Sequence, residues 1–367
     1  MLYKELELPV DVCTRPENKS NRQVLHITHN DGDGVGCALV TRFMVSAGRD
    51  TYFCNTGNGA DNASDVLMDI VANGQIGKYT DIIISDVSIR DDVADTIESY
   101  CKENDVRLLM VDHHPTNKLS ETHDWVIMSK PIDGVPVSAA ATLALVLNGK
   151  SMLKFTYFSS ETDITRVSFD HVFGSKHPNM SHTFSYWITM ISRYDTWEWK
   201  KHPWSGVYED HVTNMIKYTN PIATCDHLTE CIYNGTLVSD VMKRYTHMRN
   251  SELDEFYKKC IANKTFVTME FHGYKTIAYM VIGETGINDI KERLLKNFVN
   301  VDIVMAIDPK SRNISLRCRD GHDVGKIAAE YGGGGHAGAA GANNIDHREF
   351  YECILTSYYK AQPIKFD

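Results

Sequence analysis

Over the first 150 residues, short apolar runs alternate with longer stretches whose apolar residues recur at helical spacing. QVLHIT, TYFCNT, DIIISDVS and RLLMVDHH read as strands, with GVGCALVTRFMVSAG, NASDVLMDIVANG and DDVADTIESYCKEN as the helices between them. Such alternation predicts a mostly parallel sheet covered by helices on both faces. From about residue 150 to 260 the pattern weakens: FSYWITMISRYDTWEW reads as an apolar helix running into an aromatic-rich turn, and SELDEFYKKCIAN as an amphipathic connector. From about 263, KTFVTMEFHGYKTIAYMVI reads as a hairpin turning at His272-Gly273, followed by the helix INDIKERLLKNFV. VDIVMAID and NISLRCR then form a second strand pair, before VGKIAAEYGGGGHAGAAG and a last helix from His347. The expected fold is α/β: an N-terminal, mostly parallel sheet flanked by helices, joined by a helical linker to a smaller α+β domain. The boundaries fall at 1–235, 236–262 and 263–367.

Composition narrows this picture. With 367 residues, two domains are the natural expectation. No run approaches the roughly 18 apolar residues that span a bilayer, and the start MLYKELELPVDVCTRPENKSNRQ lacks the basic-then-apolar order of a signal peptide. Nine cysteines, an odd number scattered from Cys13 to Cys353, suggest free thiols in a reducing compartment and hence a cytoplasmic protein. A formal charge of −10 argues against a broad basic face gripping long duplex nucleic acid, while leaving room for a short nucleotide held by a few local cations.

The chemistry gathers at strand ends. In open α/β sheets, sites form just beyond the carboxyl ends of the strands. His29, Asp31 and Asp33 follow the first strand, Asp86 ends DIIISD, and Asp112, His113 and His114 end RLLMVDHH. Alternate residues of extended chain point the same way, so His29, Asp31 and Asp33 are expected on one side, with Gly32, Gly34 and Gly36 turning the backbone into the next helix. Taken singly, each cluster reads as a turn or a helix cap. Together at one sheet edge they read as a centre for Mn²⁺, Mg²⁺, Zn²⁺ or Fe²⁺, with Asp86 placed to bridge two ions.

These residues also carry a family resemblance. THNDGDGVG, ISDVS and MVDHHPTN resemble the first three motifs of the DHH phosphoesterase superfamily, and DVGKIAAEYGGGGHAGAAG resembles the GGGH motif of the DHH-associated domain. The motifs stand in the expected order at both ends of the chain, and among subfamilies they look most like the nanoRNase and oligoribonuclease (NrnB-like) members. The resemblance implies that His29, Asp31 and Asp86 hold one divalent ion and that Asp33, Asp86, His113 and a later Asp hold another. It implies Mn²⁺ first, with Mg²⁺ the alternative. Asp112 would orient its neighbours and His114 would meet the scissile phosphate. For the later Asp, ISRYDTW offers Asp195, with Asp163 and Asp170 as competitors. Arg317, Gly333, Gly334, Gly335 and His336 would hold substrate, Arg319 being a weaker candidate.

The implied activity is two-metal hydrolysis of short single-stranded oligonucleotides or dinucleotides to nucleoside monophosphates, with no membrane partner; a homodimer is compatible with it. Cyclic dinucleotides or a nucleoside 3′,5′-bisphosphate are alternative substrates. A nucleotide-binding protein that has lost catalysis is the alternative of another class. Two features read as decoys: Cys225, His227 and Cys231 have zinc-like types without a fourth ligand, and Trp187, Trp197, Trp199 and Trp204 read as core before base-stacking platforms.

Overall fold

The structure is a computed structural model that describes residues 22–55, 62–114, 117–131, 135–147, 177–198, 210–281, 287–319, 321–342 and 348–364. The chain divides into two units, Met1–Thr246 and His247–Asp367. In the first, β1 (Gln23–His29), β2 (Gly48–Cys54), β3 (Asp81–Ser85), β4 (Arg107–Asp112) and β5 (Val126–Met128) form a fully parallel sheet in the order β2-β1-β3-β4-β5. Every residue of β3 is buried, because alternate side chains feed two different cores. Ile83 packs with Val24, Leu109 and Val111 on one face, while Ile82 and Ile84 pack with Leu25, Ile27 and Met110 on the other. That two-sided burial explains why DIII is a continuous apolar run without alternation.

α2 (Ala63–Ala72) and α3 (Asp91–Glu103) cover the second face. The first is covered by α1 (Gly32–Met44), α4 (Ala139–Leu147), α5 (Pro178–Asp195), α6 (Asp210–Tyr218) and α7 (Pro221–Asn234). The sequence pattern did not disclose β5, α4, α6 or α7. In α4 the run AAATLALVL is apolar all round, so it shows no helical stripe, and it is buried along nearly its whole length. α8 (Asp240–Ala262) contains the division between the units: Met242 lies in the core of the first, and Leu253, Tyr257 and Cys260 lie in that of the second.

The second unit is built on a sheet of β6 (Val267–Phe271), β7 (Tyr274–Met280), β8 (Ile303–Asp308), β9 (Asn313–Cys318), β10 (Gly334–His336), β11 (Ala339–Ala342) and β12 (Gln362–Pro363), ordered β10-β11-β9-β8-β7-β6-β12. Pairing is antiparallel except between β7 and β8. The hairpin turns at His272 and Gly273, both at positive φ (51° and 77°), the geometry of a tight two-residue connection. α9 (Ile287–Asn297) packs Ile290 and Leu294 on one face of the sheet, and α10 (Val324–Glu330) and α11 (Arg348–Lys360) lie on the other. The glycine run is ordered as part of a hairpin, with Gly334–His336 paired to Ala339–Gly341.

Candidate functional site

β1 ends at His29, and α1 begins only three residues later at Gly32. Expected strand alternation therefore stops at His29, and Asp31 and Asp33 converge by another route. Asp31 is the N-cap of α1: its Oδ1 accepts from the Asp33 and Gly34 amides, each at 3.0 Å. Its other oxygen, Oδ2, lies 2.9 Å from His29 Nδ1. The cap reading and the ligand reading are thus both satisfied, by different oxygens. Asp33 falls in the first helical turn, where its carboxylate accepts from the Ala139 and Ala140 amides at 2.8 and 3.2 Å, at the N-terminus of α4. Gly34 is demanded by this tight entry, since a Cβ there would sit 1.8 Å from the His29 carbonyl oxygen.

Asp86 follows β3 in left-handed backbone (φ 57°) and is 1% exposed. Its amide donates to the Val111 carbonyl of β4 at 3.0 Å, which holds this uncommon conformation in place. At the end of β4, Asp112 is wholly buried and saturated. Oδ1 accepts from the His113 amide (2.7 Å), the His114 amide (3.2 Å) and His114 Nδ1 (2.8 Å), while Oδ2 accepts from Asn117 Nδ2 (2.7 Å) and Ser88 Oγ (3.2 Å). Burial opposes its ionisation, yet the His114 bond and charge hold its pKa down to about 2. Ser88 and Asn117 had no role in the sequence reading, although both lie in the motif stretches ISDVS and MVDHHPTN. α5 ends at Asp195, placing its Oδ2 3.1 Å from His113 Nε2, which is also 3.3 Å from Asp86 Oδ1. Asp163 and Asp170 lie outside the described residues.

The structure brings His29, Asp31, Asp33, Asp86, His113, His114 and Asp195 together. Potential ligand atoms of His29, Asp31 and Asp86 lie within 4.8 Å of one another, as do those of Asp33, His113 and Asp195, and those of Asp86, His113 and His114. Burial pushes the Asp86 carboxyl well above its ordinary pKa, and the charges of Asp31, Asp33 and Asp195 push it further. Asp195 is raised by burial and then by Asp33 and Asp31, and Asp33 is raised to about 6, mainly by burial. Burial opposes ionisation of Asp31 too, but the His29 imidazole and the Gly34 amide outweigh it and hold the group low. Four carboxylates so close cannot all be ionised without a cation. Three buried atoms, His29 Nδ1, Asp86 Oδ2 and Asp195 Oδ2, have no partner in hydrogen-bonding geometry. Imidazole nitrogen and carboxylate oxygen left open in one place fit a divalent metal.

Below this layer, His26 contacts Ser85 Oγ at 2.8 Å and Thr41 Oγ1 at 3.1 Å, and Ser85 donates to Thr28 Oγ1 at 3.0 Å. Burial, then the Arg49 charge, lowers the His26 pKa to about 3, so the ring is neutral and ties β1, β3 and α1 together.

In the second unit, Arg317 on β9 is 1% exposed and donates through Nη1 to Glu292 Oε1 at 2.6 Å. Register aligns Arg317 with Ala339 and Ala339 with His336, so these three share a row and a face of the sheet. Ser315, Gly341 and Gly334 form the neighbouring row on the same face. Gly333 and Gly335 are required by packing: a Cβ on either would come within 2.1 and 2.7 Å of the Gly341 and Ala339 carbonyl oxygens. Gly334 differs, with nothing within 4 Å of its Cβ position. Arg319 is committed elsewhere, donating to the carbonyls of Leu295, Phe298 and Val301 around the end of α9, so it is a helix C-terminal clamp and not a residue facing the glycine run.

The cysteine–histidine group takes its plainer reading, and of the four tryptophans Trp187 does, while Trp197 is half-buried. Cys225 and Cys231 are buried in the core and His227 pairs with Ser239 at 2.7 Å, while Trp187 is fully buried. Trp199 and Trp204 lie outside the described residues.

A parallel sheet with these side chains at its carboxyl edge, and Asp-His-His closing β4, has the arrangement of the class that the motifs resemble, the DHH phosphoesterases. Within that class it is similar to oligoribonuclease NrnB of Bacillus subtilis (strain 168), at 22% identity over 353 residues, covering 93% of this chain and 77% of that protein. Its fold is that of RecJ from Thermus thermophilus, solved with Mn²⁺ (TM-score 0.52, 11% identity, 94% of this chain and 53% of RecJ). It is also that of the DHH domain of a protein described as a member of a ribosomal-protein family (TM-score 0.54, 13% identity, 93% and 87% of the two chains). No family model matches the chain.

Proposed function

We propose that the chain hydrolyses short single-stranded oligonucleotides, dinucleotides above all, to nucleoside monophosphates with the help of two divalent ions, Mn²⁺ before Mg²⁺. The observation that carries this reading is the division of one acidic cluster into two ligand sets around Asp86. His29, Asp31 and Asp86 would hold one ion, and Asp33, His113 and Asp195, with Asp86 reached at 3.3 Å from His113, would hold the other. When bound, such ions activate water and offset charge on the phosphoryl oxygens. The chain's own residues orient the phosphate. Asp112 fixes the His114 ring through Nδ1. Burial disfavours the imidazolium, but the Asp112 bond and charge raise the His114 pKa above its ordinary value. That shift favours the protonated ring, which is one-third exposed and suits donation to a phosphate oxygen. Arg317, His336 and the open surface at Gly334 are assigned to the nucleotide, with Gly333 and Gly335 shaping the strand that presents them.

Likeness to an oligoribonuclease supports the substrate class. No helix among the described residues is long and apolar enough to cross a membrane, and the seven described thiols that are free and buried suit a reducing, cytoplasmic setting. The test is release of mononucleotides from a labelled dinucleotide with Mn²⁺, beside twenty-residue RNA and DNA, cyclic dinucleotides and 3′,5′-bisphosphates. Faster turnover of the dinucleotide than of every other substrate is expected. Preference for long chains, for cyclic dinucleotides or for bisphosphates would replace this assignment, and no turnover of any would favour a binding protein.

A further inference from the structure

The second unit buries more positive charge than the phosphodiesterase reading has used. Lys291 on α9 is 1% exposed, and its ammonium donates to the Ser315 hydroxyl. Ser315 stands two residues before Arg317 on β9, so both side chains point to the same face of the sheet, towards α9. Burial, then the Arg317 charge, holds the Lys291 pKa down to about 7, with Glu292 opposing. Glu292 is the carboxylate at Arg317, and its side chain is 31% exposed while that of Arg317 is 1% exposed. Two buried basic groups therefore lie beside Glu292, a carboxylate on the solvent side.

Buried positive charge is costly unless an anion answers it. The sheet beside this cluster is built to admit one. Arg317 is followed across the strands by Ala339 and then His336, and Ser315 by Gly341 and Gly334, all on one face. The residues between the cations and His336 are thus a methyl group and two glycines. Gly334, Gly341, Ala339 and His336 are half-buried, and space is open above Gly334.

We propose that Lys291 is a second phosphate-binding residue beside Arg317, and that Glu292 is an internal competitor whose carboxylate holds Arg317 until a substrate phosphate displaces it. This rests on the reading that Arg317 faces the nucleotide. Guanidinium binds carboxylate and phosphate oxygens by the same paired geometry, so one can replace the other without rebuilding the site. Exchange sets the substrate affinity: phosphate gains Arg317 only as Glu292 gives it up to water, which its exposure permits. A carboxylate that merely supported the fold, or aimed Arg317 at substrate, would act with the opposite sign.

The test uses the full chain. Thermal unfolding is followed in EDTA, with and without inorganic phosphate as the probe, for wild type, Glu292→Gln and Lys291→Met. Without phosphate Glu292→Gln melts lower, because Arg317 has lost its carboxylate, and phosphate restores it with a larger shift than wild type shows. Lys291→Met folds with one fewer buried charge and loses most of the phosphate shift. With Mn²⁺ and a dinucleotide, Glu292→Gln lowers KM about tenfold with kcat changed less than twofold, and Lys291→Met raises KM about tenfold. A raised KM in Glu292→Gln, or equal phosphate shifts in all three proteins, overturns the proposal. The EDTA titration needs no turnover. If the phosphate pattern holds while dinucleotides are not cleaved, the anion site stands and the oligonucleotide reading falls. Cleavage of dinucleotides with unaltered KM in both variants removes the anion site and leaves the oligonucleotide reading in place.

Discussion

Replacing Asp86 by Asn should stabilise the metal-free protein while destroying its activity. Asp86 is 1% exposed, and its ligand atom lies within 4.8 Å of that of Asp31. Two full charges at that separation repel by about 3.5 kcal/mol at an effective dielectric of about 20. Burial and the charges of Asp31, Asp33 and Asp195 already hold the Asp86 pKa high, so part of the repulsion is relieved by a retained proton. The net gain should then be about 1–2 kcal/mol, or roughly 2–8 °C in Tm for a unit of this size. Asn is the right substitute because it tolerates the left-handed backbone at φ 57° and keeps the amide that donates to Val111. Adding Mn²⁺ should raise the wild-type Tm, by about 2.7 kcal/mol of stabilisation at one hundred times Kd, and should barely move the variant. Differential scanning fluorimetry in EDTA and in Mn²⁺, paired with dinucleotide turnover, reads all three effects. A variant that melts below wild type in EDTA, or that keeps the full Mn²⁺ shift, would refute the claim that Asp86 is a strained, shared ligand.

Other outcomes follow from other parts of the structure. Asn117→Ala removes the 2.7 Å bond to Asp112 Oδ2 and leaves Ser88, among the described residues, on that oxygen; the Mn²⁺ concentration for half-maximal rate should rise or kcat fall by about 10–100-fold, and an unchanged Mn²⁺ titration and kcat would show that Asp112 needs no such support. For Lys291, the folded pKa of about 7 lies below the ordinary 10.5, with Arg317 and Glu292 as the charged groups facing it. Between those values the unfolded chain binds the extra proton, so its contribution makes stability rise with pH by up to about 1.4 kcal/mol per unit; below about pH 7 the cost is fully present. Urea unfolding at pH 7 and 9 should show this increment in wild type and its loss in Lys291→Met. Gly333→Ala should lower the Tm, since its Cβ would meet the Gly341 carbonyl at 2.1 Å, whereas Gly334→Ala should fold normally and raise the dinucleotide KM; equal melting of the two variants would contradict the packing distinction.

The sequence by itself determined the alternation of strands and helices, and with it the edge at which the chemistry collects. QVLHIT, DIII and RLLMVD are short, largely apolar runs alternating with helical stretches, the pattern of a parallel sheet covered on both faces, and in the structure they are its three central strands. Once the sheet is parallel, residues following those strands must meet at one edge, which is why His29, Asp86 and His113 could be named from sequence. Tertiary structure decided how they meet. Strand alternation could not place Asp31 and Asp33, because α1 starts at Gly32 and turns them by helical geometry. Asp195 depends on where α5 ends, more than 80 residues along the chain from His113, and local pattern carries no information about that distance. Arg317 and Arg319 are two residues apart at a strand end and look interchangeable, yet one pairs with Glu292 and the other donates to the Leu295 carbonyl of α9 and to those of Phe298 and Val301 just beyond it. That difference comes from where along α9 each arginine falls, Glu292 at mid-helix and Leu295 near its end, a placement set by how the helix packs on the sheet and not by the residues around either arginine.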